Sequence, residues 1–259
     1  MKAWLFPIFL GLAVCLVDAK TGHARADGPP VDLLLVLAAD VSRSVDEREF
    51  RLQRDGYASA ISDPRVIEAI STGPHGRIGV MYLEWSGITS QRVLIDWRTI
   101  ANLEDAKRFG EELSFAPRPF MDRTAIGSAI EFSMQQLDRS PFASERKVID
   151  ISGDGTNTNG RHVSVARDAA IAKGLTINGL VILSDVPLPW NPEHTHPPGG
   201  LRNYYEENVI GGPSAFTMVA EGFETFGYAI INKLIKEIAA LPGCEPAAAE
   251  PVKLALLGR

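Results

Sequence analysis

Residues 31–39 form a nearly continuous apolar run that ends abruptly at Asp40. Such a run is typical of a strand that is buried on both faces, as in a parallel sheet covered by helices. Residues 45–61 then carry apolar side chains near helical spacing, with three acidic residues near the start, where the helix dipole favours anions. The order of strand, polar loop and helix at the start of the domain therefore predicts an α/β fold.

The rest of the chain repeats this alternation. Further strands are predicted over residues 77–85, 91–97, 146–152, 175–183 and 216–220, and further helices over residues 103–113, 124–137, 163–173 and 223–239. Strands joined through helices require right-handed crossovers and predict a doubly wound, mostly parallel sheet in a three-layer α/β/α sandwich. The 259 residues, 45% of them hydrophobic, suit one large domain with a sizeable core.

The two ends of the chain differ from this domain, which we place at residues 27–241. Residues 1–26 begin with a lysine, continue with an apolar stretch and end in Ala24-Arg25-Ala26, which predicts a removable export signal and a periplasmic or secreted protein. The apolar stretch is shorter than the ~20 residues of a spanning helix, so no transmembrane helix is expected after cleavage. A lipid anchor through Cys15 is the alternative. Residues 242–259 are rich in alanine and proline and predict a flexible tail.

The formal net charge of −6 limits the kinds of partner. Removal of residues 1–26 would make the chain more acidic still, because that segment carries three basic residues and one acidic residue. Nucleic acid is not an expected partner, since phosphate binding depends on clustered lysine and arginine. An acidic surface suits the binding of cations.

Polar residues that directly follow buried strands are the candidates for a functional site, because open α/β sheets bind ligands beyond the carboxyl ends of their strands. Asp40 follows the first strand and begins Asp40-Val41-Ser42-Arg43-Ser44, and Asp154 follows the fourth predicted strand. Thr124 opens a helix after the loop at residues 115–123. Taken one at a time, these residues could be helix caps. Together they offer two carboxylates and three hydroxyls, a set that suits a hard cation such as Mg²⁺ with its six oxygen ligands at ~2.1 Å.

The same combination resembles the metal-ion-dependent adhesion site of von Willebrand factor A domains. The D-x-S-x-S loop after the first strand, the distant threonine and the aspartate-glycine after a later strand occur in the family's order, over about residues 31–239. Residues 211–226 are also similar to an uncharacterised bacterial, exported branch. The resemblance implies that Ser42, Ser44 and Thr124 bind the ion directly, while Asp40 and Asp154 act largely through water. A partner carboxylate, from Asp or Glu of another protein, would then complete the shell of a Mg²⁺ ion, with Mn²⁺ or Ca²⁺ as alternatives.

Two other motifs predict metal sites less well. His194-x-His196 offers two ligands in a proline-rich loop, fewer than the three or four of a zinc site. The segment from Asp154 to Gly160 is similar to a calcium loop but has Val165 where the glutamate at the twelfth position is needed. A turn stabilised by asparagine and glycine is the better interpretation.

The sequence makes no clear demand for catalysis. It has no G-x-S-x-G nucleophile elbow and no phosphate loop. Ser184, Asp185 and His162 could be combined into a hydrolase triad, but none lies in a recognised turn. Glu84 and Trp85 end the second strand near the same sheet edge and could line the binding surface, but an aromatic residue there is more often a packing residue, so both are left outside the site.

Three hypotheses about function follow. The leading one is an exported, non-enzymatic binding module that captures a partner carboxylate through a divalent ion. The second is a metal-dependent hydrolase that uses the same ion as a Lewis acid and needs a general base nearby. The third is a metal-free structural domain that binds through other surfaces.

Overall fold

The computed structural model describes residues 28–239. The predicted export signal at residues 1–26 and the predicted tail at residues 242–259 lie outside the described residues. Within the described range, no helix is both long enough and apolar enough to cross a membrane.

The core of the fold is a six-stranded sheet, in which five strands are parallel to one another and one edge strand is antiparallel. The strands are β1 (Leu34–Asp40), β2 (Ile78–Trp85), β3 (Gln91–Ile100), β4 (Lys147–Gly153), β5 (Thr176–Ile182) and β6 (Thr217–Ala220). Their spatial order is β3-β2-β1-β4-β5-β6. A turn that contains Ser86 and Gly87 joins β2 to β3 as an antiparallel hairpin.

Within residues 28–239, eight helices lie against the two faces and the edges of the sheet. They are α1 (Glu47–Ile61), α2 (Pro64–Ser71), α3 (Leu103–Phe115), α4 (Ile126–Asp138), α5 (Val163–Ala172), α6 (Pro192–Thr195), α7 (Leu201–Asn208) and α8 (Phe226–Ala239), the last preceded by a 3₁₀ turn (Phe223–Thr225). The sequence prediction missed α2, α6 and α7. For α2 a signal was present, because Asp63 caps the helix through its side chain and Pro64 occupies the first turn.

The helices form two layers, one on each face of the sheet. Along β1, Leu35 and Leu37 belong to the core under α1, α2, α3 and α8, whereas Val36 and Ala38 belong to the core under α4, α5 and α7. Every residue of β1 is buried, which explains why its sequence is apolar without alternation. The prediction of a three-layer, doubly wound α/β sandwich is confirmed.

The register of the central strands decides where the site lies. β1 and β4 run parallel, and Ala39 of β1 pairs with Ser152 of β4. Asp40 therefore ends β1 beside Gly153, and Asp154 follows at the same carboxyl edge of the sheet. A Cβ atom added to Gly153 would lie only 3.2 Å from the Oδ2 atom of Asp40. Because glycine has no Cβ, the end of β4 can approach that carboxylate closely.

Candidate metal centre

Asp40 is fully buried at the end of β1, and its carboxylate is only half satisfied. Its Oδ1 atom accepts a hydrogen bond of 2.7 Å from the backbone amide of Ser42, whereas its Oδ2 atom is buried without a hydrogen-bond partner among the described residues. Helix α1 is capped by Asp46, whose side chain accepts from the amides of Arg48 and Glu49. The alternative interpretation of Asp40 as the cap of this helix is therefore wrong.

The two serines connect Asp40 to Asp154. The hydroxyl oxygens of Ser42 and Ser44 are 3.1 Å apart, and the Ser44 hydroxyl donates to Oδ1 of Asp154 over 2.7 Å. Asp154 is buried as well. Four of the five predicted residues thus form one contiguous polar cluster, although the chain separates Ser44 from Asp154 by 110 positions.

Thr124 is held near this cluster by its backbone. It lies two residues before α4, and the capping position of that helix is occupied by Ala125, which makes no side-chain cap bond, so Thr124 is not a helix cap. Its amide donates to the Thr158 hydroxyl over 3.1 Å, and its carbonyl accepts from the Thr158 and Asn159 amides over 2.8 and 3.3 Å. The turn at residues 154–160, predicted from its asparagines and glycines, therefore fixes Thr124. Ser44 and Thr124 line the same open cavity, of about 350 Å³.

Burial places two acidic groups in an unfavourable environment. Burial, and secondly the charge of Asp154, raise the pKa of Asp40 well above its usual value. Burial raises the pKa of Asp154 to about 6, against the hydrogen bond from Ser44. Among the described residues neither carboxylate forms an ion pair. A cation would supply the missing partner.

The donor set fits a hard divalent cation. The residues present are two carboxylates and three hydroxyls, the ligand types that Mg²⁺ and Ca²⁺ prefer. Neighbouring ligands of an octahedral ion with bonds of ~2.1 Å are ~3 Å apart, and the two serine hydroxyls already have a similar spacing of 3.1 Å. Residues 28–239 contain no cluster of three or more His, Cys, Asp or Glu side chains arranged for a metal, so a site here depends on its hydroxyl ligands.

Arg118 stabilises the loop between β1 and α1, a role that no feature of the sequence indicates. Its Nη2 atom donates to the carbonyls of Val41, Ser42 and Val45 over 3.0, 3.2 and 2.8 Å. The guanidinium also stacks over the ring of Phe50, 4.8 Å from the centroid. One side chain from the loop before α4 thus fixes the conformation of the D-x-S-x-S loop.

His194 lies against the site, whereas His196 does not. The ring of His194 is buried, with Nε2 3.3 Å from the Thr124 hydroxyl, and burial lowers its pKa. His196 is exposed, and its Nδ1 atom lies 2.9 Å from the hydroxyl of Thr195. The two histidines therefore do not form a joint metal site, but one of them adjoins the predicted one.

The other sequence motifs lie outside the site. His162 is exposed and bonds with Ser164, and Ser184 bonds with the carbonyl of Val186, so these two do not form a catalytic pair. Glu84 is buried and accepts two hydrogen bonds from Arg54, of 2.7 and 3.0 Å. Glu84 thus forms a buried ion pair with Arg54.

Comparison with solved structures identifies the fold. Proximal thread matrix protein 1 from the mussel byssus has a TM-score of 0.55 at 12% identity, covering 82% of this chain and 49% of its own. A von Willebrand factor type A protein from Catenulispora acidiphila has 0.55 at 14%, covering 80% and 43%. The pilus adhesin SpaC from Lactobacillus rhamnosus GG has 0.54 at 12%, covering 83% and 31%. The chain thus spans less than half the length of each.

At these identities the likeness concerns the fold alone. No curated protein matches the sequence. Residues 30–242 match the model of the family described as "Protein of unknown function (DUF1194)". Because this model covers most of the chain, the chain belongs to the DUF1194 family, and it has the von Willebrand factor A fold.

Proposed function

We propose that this chain is a metal-dependent, adhesion-type binding module that captures a carboxylate of a partner protein through a divalent ion. The observation that carries the proposal is the buried carboxylate of Asp40, with one oxygen unpartnered, in one cluster with Ser42, Ser44 and a second buried carboxylate, Asp154. Burial of two neighbouring acids costs free energy, and a bound cation would offset that cost.

Each of the five predicted residues, the four of the cluster and Thr124 beside it, has a distinct role in this proposal. Ser42, Ser44 and Thr124 bind the ion through neutral hydroxyls, and Asp40 and Asp154 supply charge, largely through water. Mg²⁺ is the favoured ion, with Mn²⁺ or Ca²⁺ as alternatives. When bound, the ion offers an electrophilic position to an incoming carboxylate, because its direct protein ligands are neutral.

The surroundings of the cavity support an acidic protein partner. Arg43 and Arg123 are exposed and line the cavity together with one acidic residue, Asp122, so the excess of positive charge in the lining attracts negative charge toward the site. Trp190 also lines it and is 68% exposed, which offers apolar area beside the charged groups. A partner segment that places an Asp or Glu next to an apolar residue would match both features.

Two structures with a similar fold support a role in adhesion and in metal binding. One is a pilus adhesin. Another is a form of the mussel byssus protein described as having a zinc-occupied MIDAS motif, the metal-ion-dependent adhesion site. We extend these properties to the present chain only as part of the proposal. Export through residues 1–26, with Cys15 lipidation as the alternative, is part of it too, and N-terminal sequencing of the exported protein decides between a start near Asp27 and a lipidated Cys15.

The experiment is a comparison of three proteins: wild type, Asp40→Ala and the control Asp55→Ala. Asp55 is an exposed aspartate on α1 that lies outside the cluster. Mg²⁺ or Mn²⁺ should raise the thermal midpoint of wild type and of the control, but not that of Asp40→Ala. Partner capture from the periplasm or medium should be lost with chelator and with Asp40→Ala.

The result also separates the proposal from its alternatives. If calorimetry detects no divalent-ion binding to wild type and chelator leaves partner capture unchanged, the metal-free structural hypothesis takes its place. The hydrolase hypothesis needs a general base, and His194 is the described histidine that adjoins the cluster. Metal-dependent ester hydrolysis that disappears in His194→Ala would favour the enzyme over the binding module.

A further inference from the structure

We propose that His194 is a nitrogen ligand of the candidate metal centre and that it shifts the ion preference from Mg²⁺ and Ca²⁺ toward later transition metals such as Co²⁺ and Zn²⁺. This inference rests on the proposed function, because it concerns the same site. It changes the ligand set from oxygen alone to oxygen plus one imidazole.

The first observation is the way in which the His194 ring is buried. The residue is 4% exposed, yet Nδ1 has no hydrogen-bond partner among the described residues, and the ring's one polar contact is the 3.3 Å approach of Nε2 to the Thr124 hydroxyl. Burial of a polar ring costs free energy unless its nitrogens are bonded. A metal ion beside the Thr124 hydroxyl would bond Nε2 in place of this long contact, but it would not reach Nδ1, because the two ring nitrogens point in different directions.

The second observation is that the backbone makes room for the ring and holds it. A side chain at Gly155 would begin 2.1 Å from Cε1 and 2.2 Å from Nε2 of His194, so only glycine allows the imidazole to take this position. The carbonyl of His194 accepts a hydrogen bond of 2.9 Å from the Thr156 amide. The turn that follows Asp154 therefore holds His194 as well as Thr124.

The third observation is the spacing of the two side chains. Adjacent ligands of an octahedral ion with bonds of ~2.1 Å lie ~3 Å apart, and Nε2 and the Thr124 hydroxyl oxygen are 3.3 Å apart. Both atoms can therefore bind one ion as neighbours after a small adjustment. Ser44, Thr124 and His194 all line the same cavity.

The chemistry of imidazole gives the direction of the selectivity. Imidazole nitrogen suits zinc, copper, nickel and iron, whereas carboxylate and water suit Mg²⁺ and Ca²⁺. For a given set of nitrogen and oxygen ligands, affinity rises from Mn²⁺ through Co²⁺ toward Zn²⁺ and its neighbours. We expect Co²⁺ and Zn²⁺ to bind wild type at least about 10-fold more tightly than Mg²⁺.

The test uses the metals alone with wild type, His194→Gln and the control His196→Ala, which changes the exposed histidine two positions away. Pulsed electron paramagnetic resonance of the Mn²⁺-loaded protein should show coupling to an imidazole nitrogen in wild type and in the control, and none in His194→Gln. Calorimetry should show that His194→Gln loses the preference for Co²⁺ and Zn²⁺ but retains Mg²⁺ binding. Gly155→Ala, with its fold checked by circular dichroism, should have the same effect.

The outcomes distinguish this inference from the proposed function. If Mn²⁺ binds wild type without nitrogen coupling, the inference is overturned and the oxygen-only site stands. An equal loss of affinity for every ion in His194→Gln also overturns it, because His194 would then only orient Thr124. Absence of any ion binding to wild type overturns both.

Discussion

The buried carboxylate of Asp154 should make the metal-free protein less stable than a variant without that charge. We consider Asp154→Asn, which keeps the shape of the side chain and an oxygen that can accept the hydrogen bond from Ser44. In the folded protein the pKa of Asp154 is raised from 3.8 to about 6, chiefly by burial. The ionised form is thus disfavoured in the folded state relative to the unfolded state. Removal of the charge should therefore stabilise the metal-free protein.

The magnitude follows from the shift in pKa. About two pKa units correspond to about 3 kcal/mol in the free energy of unfolding. The new amide group adds a buried donor, which costs about 1 kcal/mol and leaves a net gain of about 2 kcal/mol. For a domain of this size, that gain raises the thermal midpoint by about 4 to 8 °C.

The sign of the pH dependence is the reverse of that for a salt-bridged aspartate. Below pH 3.8 the group is protonated in both states and the charge has no effect. Between 3.8 and about 6 the unfolded chain ionises while the folded protein keeps its proton, so wild-type stability falls as the pH rises. Above about 6 the destabilisation is complete. The advantage of Asp154→Asn should therefore be largest at neutral pH and vanish in acid.

Thermal unfolding in chelator, repeated across this pH range, measures the effect. With the ion at ~100 times its dissociation constant, wild type should become more stable than Asp154→Asn. Ion binding adds about 2.7 kcal/mol to the free energy of unfolding of wild type, and the variant lacks this contribution. The reasoning would be refuted if metal-free Asp154→Asn were less stable than wild type at neutral pH. It would also be refuted if the variant remained more stable than wild type in acid.

Three more predictions concern the site and its support. The rise in thermal midpoint caused by Mg²⁺ should shrink as the pH falls below about 6, because protons compete with the ion for the two carboxylates; midpoints measured at a series of pH values check this. Arg118→Met should weaken ion binding about 10-fold, because the three loop carbonyls lose their hydrogen-bond donor; calorimetry measures this. The control Arg51→Met, on the exposed face of α1, should leave ion binding unchanged. Arg54→Met should lower the free energy of unfolding in urea by about 3 to 5 kcal/mol, because it leaves Glu84 buried and unpaired, and adding Glu84→Gln should restore part of the loss.

The sequence predicted those parts of the fold and of the site that depend on local pattern. An unbroken apolar run identified β1 as a buried strand, and its end located Asp40 at the sheet edge. The helices with clear apolar periodicity, such as α1 and α8, were found for the same reason. Helix α7 was missed because it is short and polar, with Leu201 and Tyr205 as its buried residues.

The features that could not be predicted from the sequence depend on contacts between segments that are distant in the chain. Arg118 reaches the β1 to α1 loop from more than 70 positions away, and nothing in its neighbours marks it. His194 reaches Thr124 across 70 positions. A buried ion pair between Lys233 and Asp150, under the sheet, was equally invisible, since a lysine in a helix is normally exposed. The type of a side chain does not reveal which distant residue it will contact in the folded protein.

The separation of the site residues along the chain has a consequence for folding. The cluster brings together loops that are 110 positions apart, so it cannot form until β1 and β4 are paired. Contacts of such long range are slow to form and complete late. An ion would then bind a chain that is already folded, and would leave the folding rate unchanged. Its effect should appear as slower unfolding, so bound metal would extend the lifetime of the native protein.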